Sequence, residues 1–203
     1  MTVHLDIAEL EAGLDVIRQS PAFIGSVELV VRRPAEGERE VLTAGLLHID
    51  EGLMGDDWQA RGSGATEDGS PHPEMQLTLM NARVIALIAG DRERWALAGD
   101  QLFVDLDLTP ENLPPGTQLE VGSAVIEVTD QLHAGCAKFT ERFGSAAIRF
   151  VNSPSGRALR LRGMYSRVVK AGTVRPGDSI RKLSERLVPE VPALGEDHRR
   201  TGG

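Results

Sequence analysis

The sequence predicts a mainly β domain closed as a barrel, with two or three short helices. Three observations carry this. Short runs rich in Val, Ile and Leu recur along the chain, bounded by Gly, Pro, Asn or Asp. In the clearest run, Leu102 to Leu108, apolar residues stand at every second position, as in a half-buried strand. Helical spacing appears in only a few segments, and no repeat or coiled-coil pattern competes with the barrel.

The chain is 203 residues long, which suits one enlarged domain with tails. Hydrophobic residues make up 41% but aromatics only 4%, so the core must be aliphatic. A formal net charge of -8 argues against nucleic acid as a partner, because phosphate neutralisation dominates that affinity. The single cysteine excludes an internal disulfide. No apolar run reaches bilayer length and no signal-peptide pattern opens the chain, so no membrane association and a cytoplasmic location are expected. The oligomeric state is not legible.

Residues 1–24 read as an N-terminal helical extension. Leu10, Leu14 and Ile17 recur at helical spacing between Leu5 and Gln19, and Ser20-Pro21 ends the helix. Residues 25–183 read as the barrel domain. Gly25 to Arg33 and Glu40 to Ile49 form strands of a hairpin across the polar turn Pro34 to Arg39. Asp56 and Asp57 sit in a glycine-rich loop, where Asp most often bonds nearby backbone; two carboxylates alone are a weak metal signal. Gln59 to Pro73 is a long stretch without periodicity, of the kind that is functional or disordered. Glu74 to Met80 is a short strand, and Asn81 is a good N-cap for a helix over Ala82 to Gly90. Asp91 to Leu97 extends that helix or starts another turn, with Trp95 as a core or lid aromatic. Thr109 to Gly116 is a proline-rich turn. Leu119 to Val128 is the strand that feeds the cysteine loop, with Gly122-Ser123 as a turn or bulge. Ala137 to Phe143 is a helical turn, Ala146 to Val151 a short apolar segment and Asn152 to Gly156 a loop. Val168-Val169 and Ser179-Ile180 are closing strands. Residues 184–203, rich in Pro, Gly and charge, are expected to be a disordered tail.

The chemistry concentrates around Cys136. Lys138 follows two residues on, and a cation near a thiol favours the thiolate, which is the nucleophilic and metal-ligating form. The alternative is a buried cysteine acting as a small hydrophobe. Downstream, Arg157, Arg160, Arg162 and Arg167 form the densest positive stretch of an acidic chain. Arginine forks match phosphate geometry, although a solvated strand face would also explain them.

These pieces, in this order, resemble the MOSC domain, named for the C-terminal part of eukaryotic molybdenum cofactor sulfurases. The segments are Gly55-Asp56, Gly99-Asp100-Gln101-Leu102, the strand into Cys136-Ala137-Lys138-Phe139, Arg162-Gly163-Met164-Tyr165-Ser166-Arg167-Val168, and Gly172-Thr173-Val174-Arg175-Pro176-Gly177-Asp178. The resemblance runs from about Val27 to Leu183. It implies a barrel-like fold with one functional cysteine that carries sulfur as a persulfide or binds the molybdenum of a pterin cofactor. Carried over, Cys136 is the metal ligand or sulfur carrier and, with Lys138, a catalytic candidate. Arg162, Gly163, Tyr165, Arg167, Gln101 and His133 are the candidate cofactor-binding positions, and the molybdenum cofactor (Mo-molybdopterin) is the expected cofactor. Pyridoxal phosphate is a further family association, and a cysteine desulfurase or an electron-transfer protein is the implied partner. Some relatives reduce N-hydroxylated compounds, so a reductase component is the alternative, beside a non-catalytic β-domain with a decayed site. Three pocket segments depart from the family. Gly135 and His133 stand where proline and arginine are usual, Gly99-Asp100-Gln101 replaces Gly-Glu-Asn, and Ser70 to Gln76 replaces a His-Gly-Gly-like segment.

Overall fold

A computed structural model describes residues 4–183. The expected tail at 184–203 lies outside the described residues. The strands are β1 (Ile24–Arg32), β2 (Glu40–Leu42), β3 (Gly45–His48), β4 (Gly52–Leu53), β5 (Leu77–Asn81), β6 (Leu102–Asp105), β7 (Gln118–Val121), β8 (Ala124–Val128), β9 (Met164–Lys170), β10 (Gly172–Val174) and β11 (Ser179–Lys182). The helices are α1 (Ile7–Ala12), α2 (Leu14–Arg18), α3 (Trp58–Arg61), α4 (Ala82–Ala89), α5 (Ala137–Asn152) and α6 (Pro154–Ala158), with 3-10 segments at Pro73–Met75 and Arg92–Ala98.

Seven strands close a mixed barrel in the order β1-β11-β7-β8-β9-β5-β6, and β6 returns to β1. Its pairs are antiparallel except β5–β6, which run parallel because α4 carries the chain over one face between them. Strand β2 extends the sheet from β1, and β10-β3-β4 form a small separate sheet. The mainly β barrel expected from the alternating runs is therefore the observed architecture.

Two apolar layers share β1, β5 and β6. The barrel interior holds Val27, Val30, Leu79, Leu102, Val104 and Ile126. The outer layer packs Leu29, Val31, Met80 and Phe103 against helices α1, α2, α4 and α5. An irregularity between Val27 and Leu29, where β1 pairs with β6, lets one strand serve both layers. Val27 and Val30 face Val104 and Leu102 inside, while Leu29 meets Phe103 outside. Burying each such side chain stabilises by about 1.5–3 kcal/mol.

Several elements differ from expectation, each for a local reason. The N-terminal helix is two short helices that meet at Gly13, where an added Cβ would meet Leu87 of α4. Glu40 to Ile49 splits at Thr43-Ala44, so β2 pairs with β1 while β3 pairs with β10. Leu102 to Leu108 regularises only to Asp105, and Leu102 to Val104 are buried on both faces rather than half-buried. Leu119 to Val128 is a hairpin rather than one strand, with its turn at Gly122-Ser123, where a turn or bulge was expected, so Val121 lies opposite Ala124. The short apolar segment after Phe143 continues α5, which Gly144 interrupts at φ 86°. Ser153 caps α6, its hydroxyl accepting from the Gly156 N–H at 2.9 Å, with Pro154 opening the helix. Asn81 caps α4 as expected, its Oδ1 accepting from the Arg83 and Val84 N–H groups. Among the described residues, no helix is long and apolar enough to cross a membrane.

Candidate cofactor-binding site

Strand β8 ends at Val128, and the chain then crosses to the start of α5, with His133 on the way and Cys136 as the residue that caps the helix. Phe139, Phe143, Ala147, Phe150 and Val151 bury one face of α5 in the helical layer. That packing fixes the helix and leaves Cys136 exposed. The end of β1, the loop after it and α3 approach from the other side. Between them lies a cavity of about 730 Å³, a volume suited to a small-molecule cofactor.

Cys136, Lys138, His133, Arg162 and Tyr165 all line this cavity. Arg162 runs beneath it as half of a buried ion pair. Its Nη1 donates to both Asp100 carboxylate oxygens, at 3.0 and 2.8 Å, and its Nη2 to the Ala98 carbonyl at 3.1 Å. The guanidinium also lies over the Phe139 ring, 4.9 Å from its centroid. Burial raises the Asp100 carboxyl above its ordinary range, and Arg162 opposes that shift. His133 packs its ring 4.6 Å from that of Tyr165, with Nδ1 3.7 Å from Asp100. Burial holds its pKa well below the ordinary 6.5, helped by the charges of Arg162 and Arg33. It is therefore neutral near pH 7. The Nδ1 of His133 and the Nε of Arg162 are buried without a hydrogen-bond partner among the described residues. A side chain, water or ligand would ordinarily satisfy such atoms.

The other candidates fall outside the cavity. Arg167 shares the outward side of β9 with Tyr165 but lies further along, where it pairs with Glu127 at 2.6 Å. Gln101 is fully buried: its Oε1 accepts from the Thr78 N–H and hydroxyl, and its Nε2 donates to the Gln76 carbonyl. It braces β5 from within and cannot touch a ligand in the cavity. Gly163 also lies away from it, at φ 96°, and an added Cβ would overlap the Leu79 carbonyl oxygen. Arg157, Arg160 and Gly163 line a second cavity of about 200 Å³, which shares His133 and Arg162 with the first. The ammonium of Lys138 is engaged by Glu36 at 2.6 Å.

Sequence reasoning missed four cations of the wall: Arg33, Arg39, Arg61 and Arg142. Arg33 is held by Asp56, whose carboxylate accepts from its N–H at 2.9 Å, its Nε at 3.0 Å and its Nη2 at 2.7 Å. The Asp56 side chain also accepts from the Trp58 N–H, so the Gly55-Asp56 turn is a brace for Arg33. Arg61 pairs with Asp57 at 2.8 Å. Arg39 and Arg142 are held only by main-chain carbonyls, of Glu38 and Leu97, and neither has a carboxylate partner among the described residues. Burial lowers the Arg39 pKa, and the charges of Arg142 and Arg33 add to the shift. Among the described residues no group of three His, Cys, Asp or Glu could hold a metal ion.

Fold and cavity together describe a β-barrel with an exposed thiol in the mainly cationic wall of a cavity. The family model described as MOSC domain matches residues 72–181, more than half of the chain. The chain belongs to the MOSC domain family, which is associated with molybdenum cofactor sulfurase-like domains. Among solved structures, the YuaD protein of Bacillus subtilis is similar at 18% identity and a TM-score of 0.58, over 77% of this chain and 94% of that one. YiiM of Escherichia coli is similar at 20% identity and a TM-score of 0.50, over 78% and 70% of the two chains. At these identities the likeness is one of fold. No curated protein matches the chain.

Proposed function

We propose that this MOSC domain binds the molybdenum cofactor and uses Cys136 as a sulfur carrier, through a persulfide or a molybdenum–thiolate bond. One observation carries the reading: an exposed cysteine stands in the wall of a cofactor-sized cavity whose other charged groups are mainly cationic. The residues fit such a group. A thiolate suits a soft metal centre. Arg39, whose buried Nε has no partner among the described residues, and Arg142 would hold the anionic end of the pterin, while Arg162 and Lys138 would stabilise charge nearer Cys136. When bound, the cofactor would supply redox-active molybdenum and dithiolene sulfur. The chain itself supplies position, charge and a thiol.

A second reading, a reductase component acting on N-hydroxylated compounds, is favoured by His133. Such a reduction consumes protons, and His133 in the cavity wall, a neutral imidazole with no acidic proton of its own, would pass one on only as a relay, taking it up at one ring nitrogen and releasing it from the other. A cysteine desulfurase would be the partner in the first reading and an electron-transfer protein in the second, in a cytoplasmic setting. The test is a binding titration with freshly released molybdenum cofactor on wild type and Cys136→Ser. Binding that weakens at least tenfold in Cys136→Ser is expected. Equal binding by the two proteins would remove Cys136 from the site.

A further inference from the structure

The six cations of the cavity wall are not paired alike. Arg33 and Arg162 are locked to Asp56 and Asp100, whose side chains are 0% exposed. Arg61 is held by Asp57, itself largely buried. Lys138 differs. Its partner Glu36 is 84% exposed and reaches α5 from the loop between β1 and β2, across 102 residues of sequence. Both residues line the cavity together with Cys136. Removing one member of a buried pair strands a charge, so Asp56 and Asp100 are fixtures. An exposed pair is weak and exchanges readily with other anions. Lys138 is thus the cation of this wall, among the described residues, whose counter-charge is readily exchanged.

We propose that Glu36 is a built-in stand-in for the anionic group of the ligand, holding Lys138 and the β1–β2 loop at the cavity mouth until an anion displaces it. The idea rests on the reading that this cavity takes an anionic ligand, and it names the residue that sets charge selectivity beside Cys136. Lys138 and Arg142 are four residues apart on one face of α5, and Arg142 lies near enough to Arg39 to shift its pKa. With Glu36 displaced, Lys138 joins Arg39 and Arg142 as a third cation without a carboxylate. A multiply charged anion such as a phosphate group can engage all three, which a single carboxylate cannot. Exposure of the loop makes Glu36 replaceable without disturbing the fold.

The test compares alkylation of Cys136 by iodoacetate and by iodoacetamide. In both reactions sulfur displaces iodide, so any change in the thiol itself moves both rates together, and their ratio isolates the effect of reagent charge. Glu36→Gln is expected to raise the iodoacetate-to-iodoacetamide ratio by up to about fivefold. Lys138→Gln should lower it below wild type, and the double variant should lose the gain of Glu36→Gln. An unchanged ratio in Glu36→Gln, or a full rise in the double variant, would overturn the proposal. The outcome is independent of the cofactor. A protein that binds no molybdenum cofactor yet shows the ratio change would sink the functional reading and leave the stand-in intact, and the reverse pattern would sink the stand-in alone.

Discussion

At the scale of single residues, His133 ties the stability of the domain to pH. Its side chain is 8% exposed, and the groups facing it are Asp100, Arg162, Arg33 and Tyr165. The folded pKa lies below the ordinary 6.5 of the unfolded chain, so between the two values the unfolded state binds the extra proton. The contribution of His133 is full above 6.5 and is lost as pH falls from there toward the folded value. Urea midpoints measured at steps from pH 7.5 to 5 should therefore decline, and His133→Gln should flatten that decline. A parallel slope in the variant would place the titration elsewhere. The site was partly legible at this scale. Cys136, Lys138, His133, Arg162 and Tyr165 stand within or beside two family-like segments and meet in the cavity. Arg33, Arg39, Arg61 and Arg142 carry no local signature. They lie just past the end of β1, in the loop that follows, on α3 and on α5, and only the closed barrel brings those parts together. Arg167 looked equivalent to Arg162, but Gly163 and the start of β9 separate them, and strand direction carries Arg167 away to Glu127.

At the scale of elements, β9 starts hard against β5. Met164 pairs with Leu79, and Gly163 makes the entry by taking φ 96° beside the Leu79 carbonyl. Gly163→Ala should cost roughly 2 kcal/mol or more, from the strained backbone and the lost close approach. A denaturant titration that returns wild-type stability would show that the strand can start elsewhere. Elements with an unbroken apolar period and a cap, such as α4 after Asn81, were readable from sequence. Helix α5 was not, because Gly144 splits its period between Phe143 and Ala147. The β7–β8 hairpin was read only in part, as one strand with a turn or bulge at Gly122-Ser123. A two-residue turn leaves the β-branched run on both sides nearly continuous, so two short strands read as one.

At the scale of the whole molecule, strands β1, β5 and β6 belong to the barrel interior and to the helical layer at once. Neither layer can lose its packing without exposing the other, so the domain should unfold in one step. Trp95 sits in the helical layer and Trp58 in α3, both buried, and each can serve alone as a fluorescent probe. Single-tryptophan variants, Trp58→Phe and Trp95→Phe, should give coincident urea transitions. Separated midpoints would mean that α3 unfolds independently of the helical layer. The closing seam has a consequence for synthesis. Ile24, Gly25 and Ser26 of β1 pair with Arg181, Ile180 and Ser179 of β11. At 5–20 residues per second, β1 leaves the ribosome roughly 8–30 s ahead of its partner. Throughout that interval one edge of β1 is open to any passing strand, including the same strand of a neighbouring nascent chain. A message truncated before the codons of β11 would yield a protein with that edge open for life.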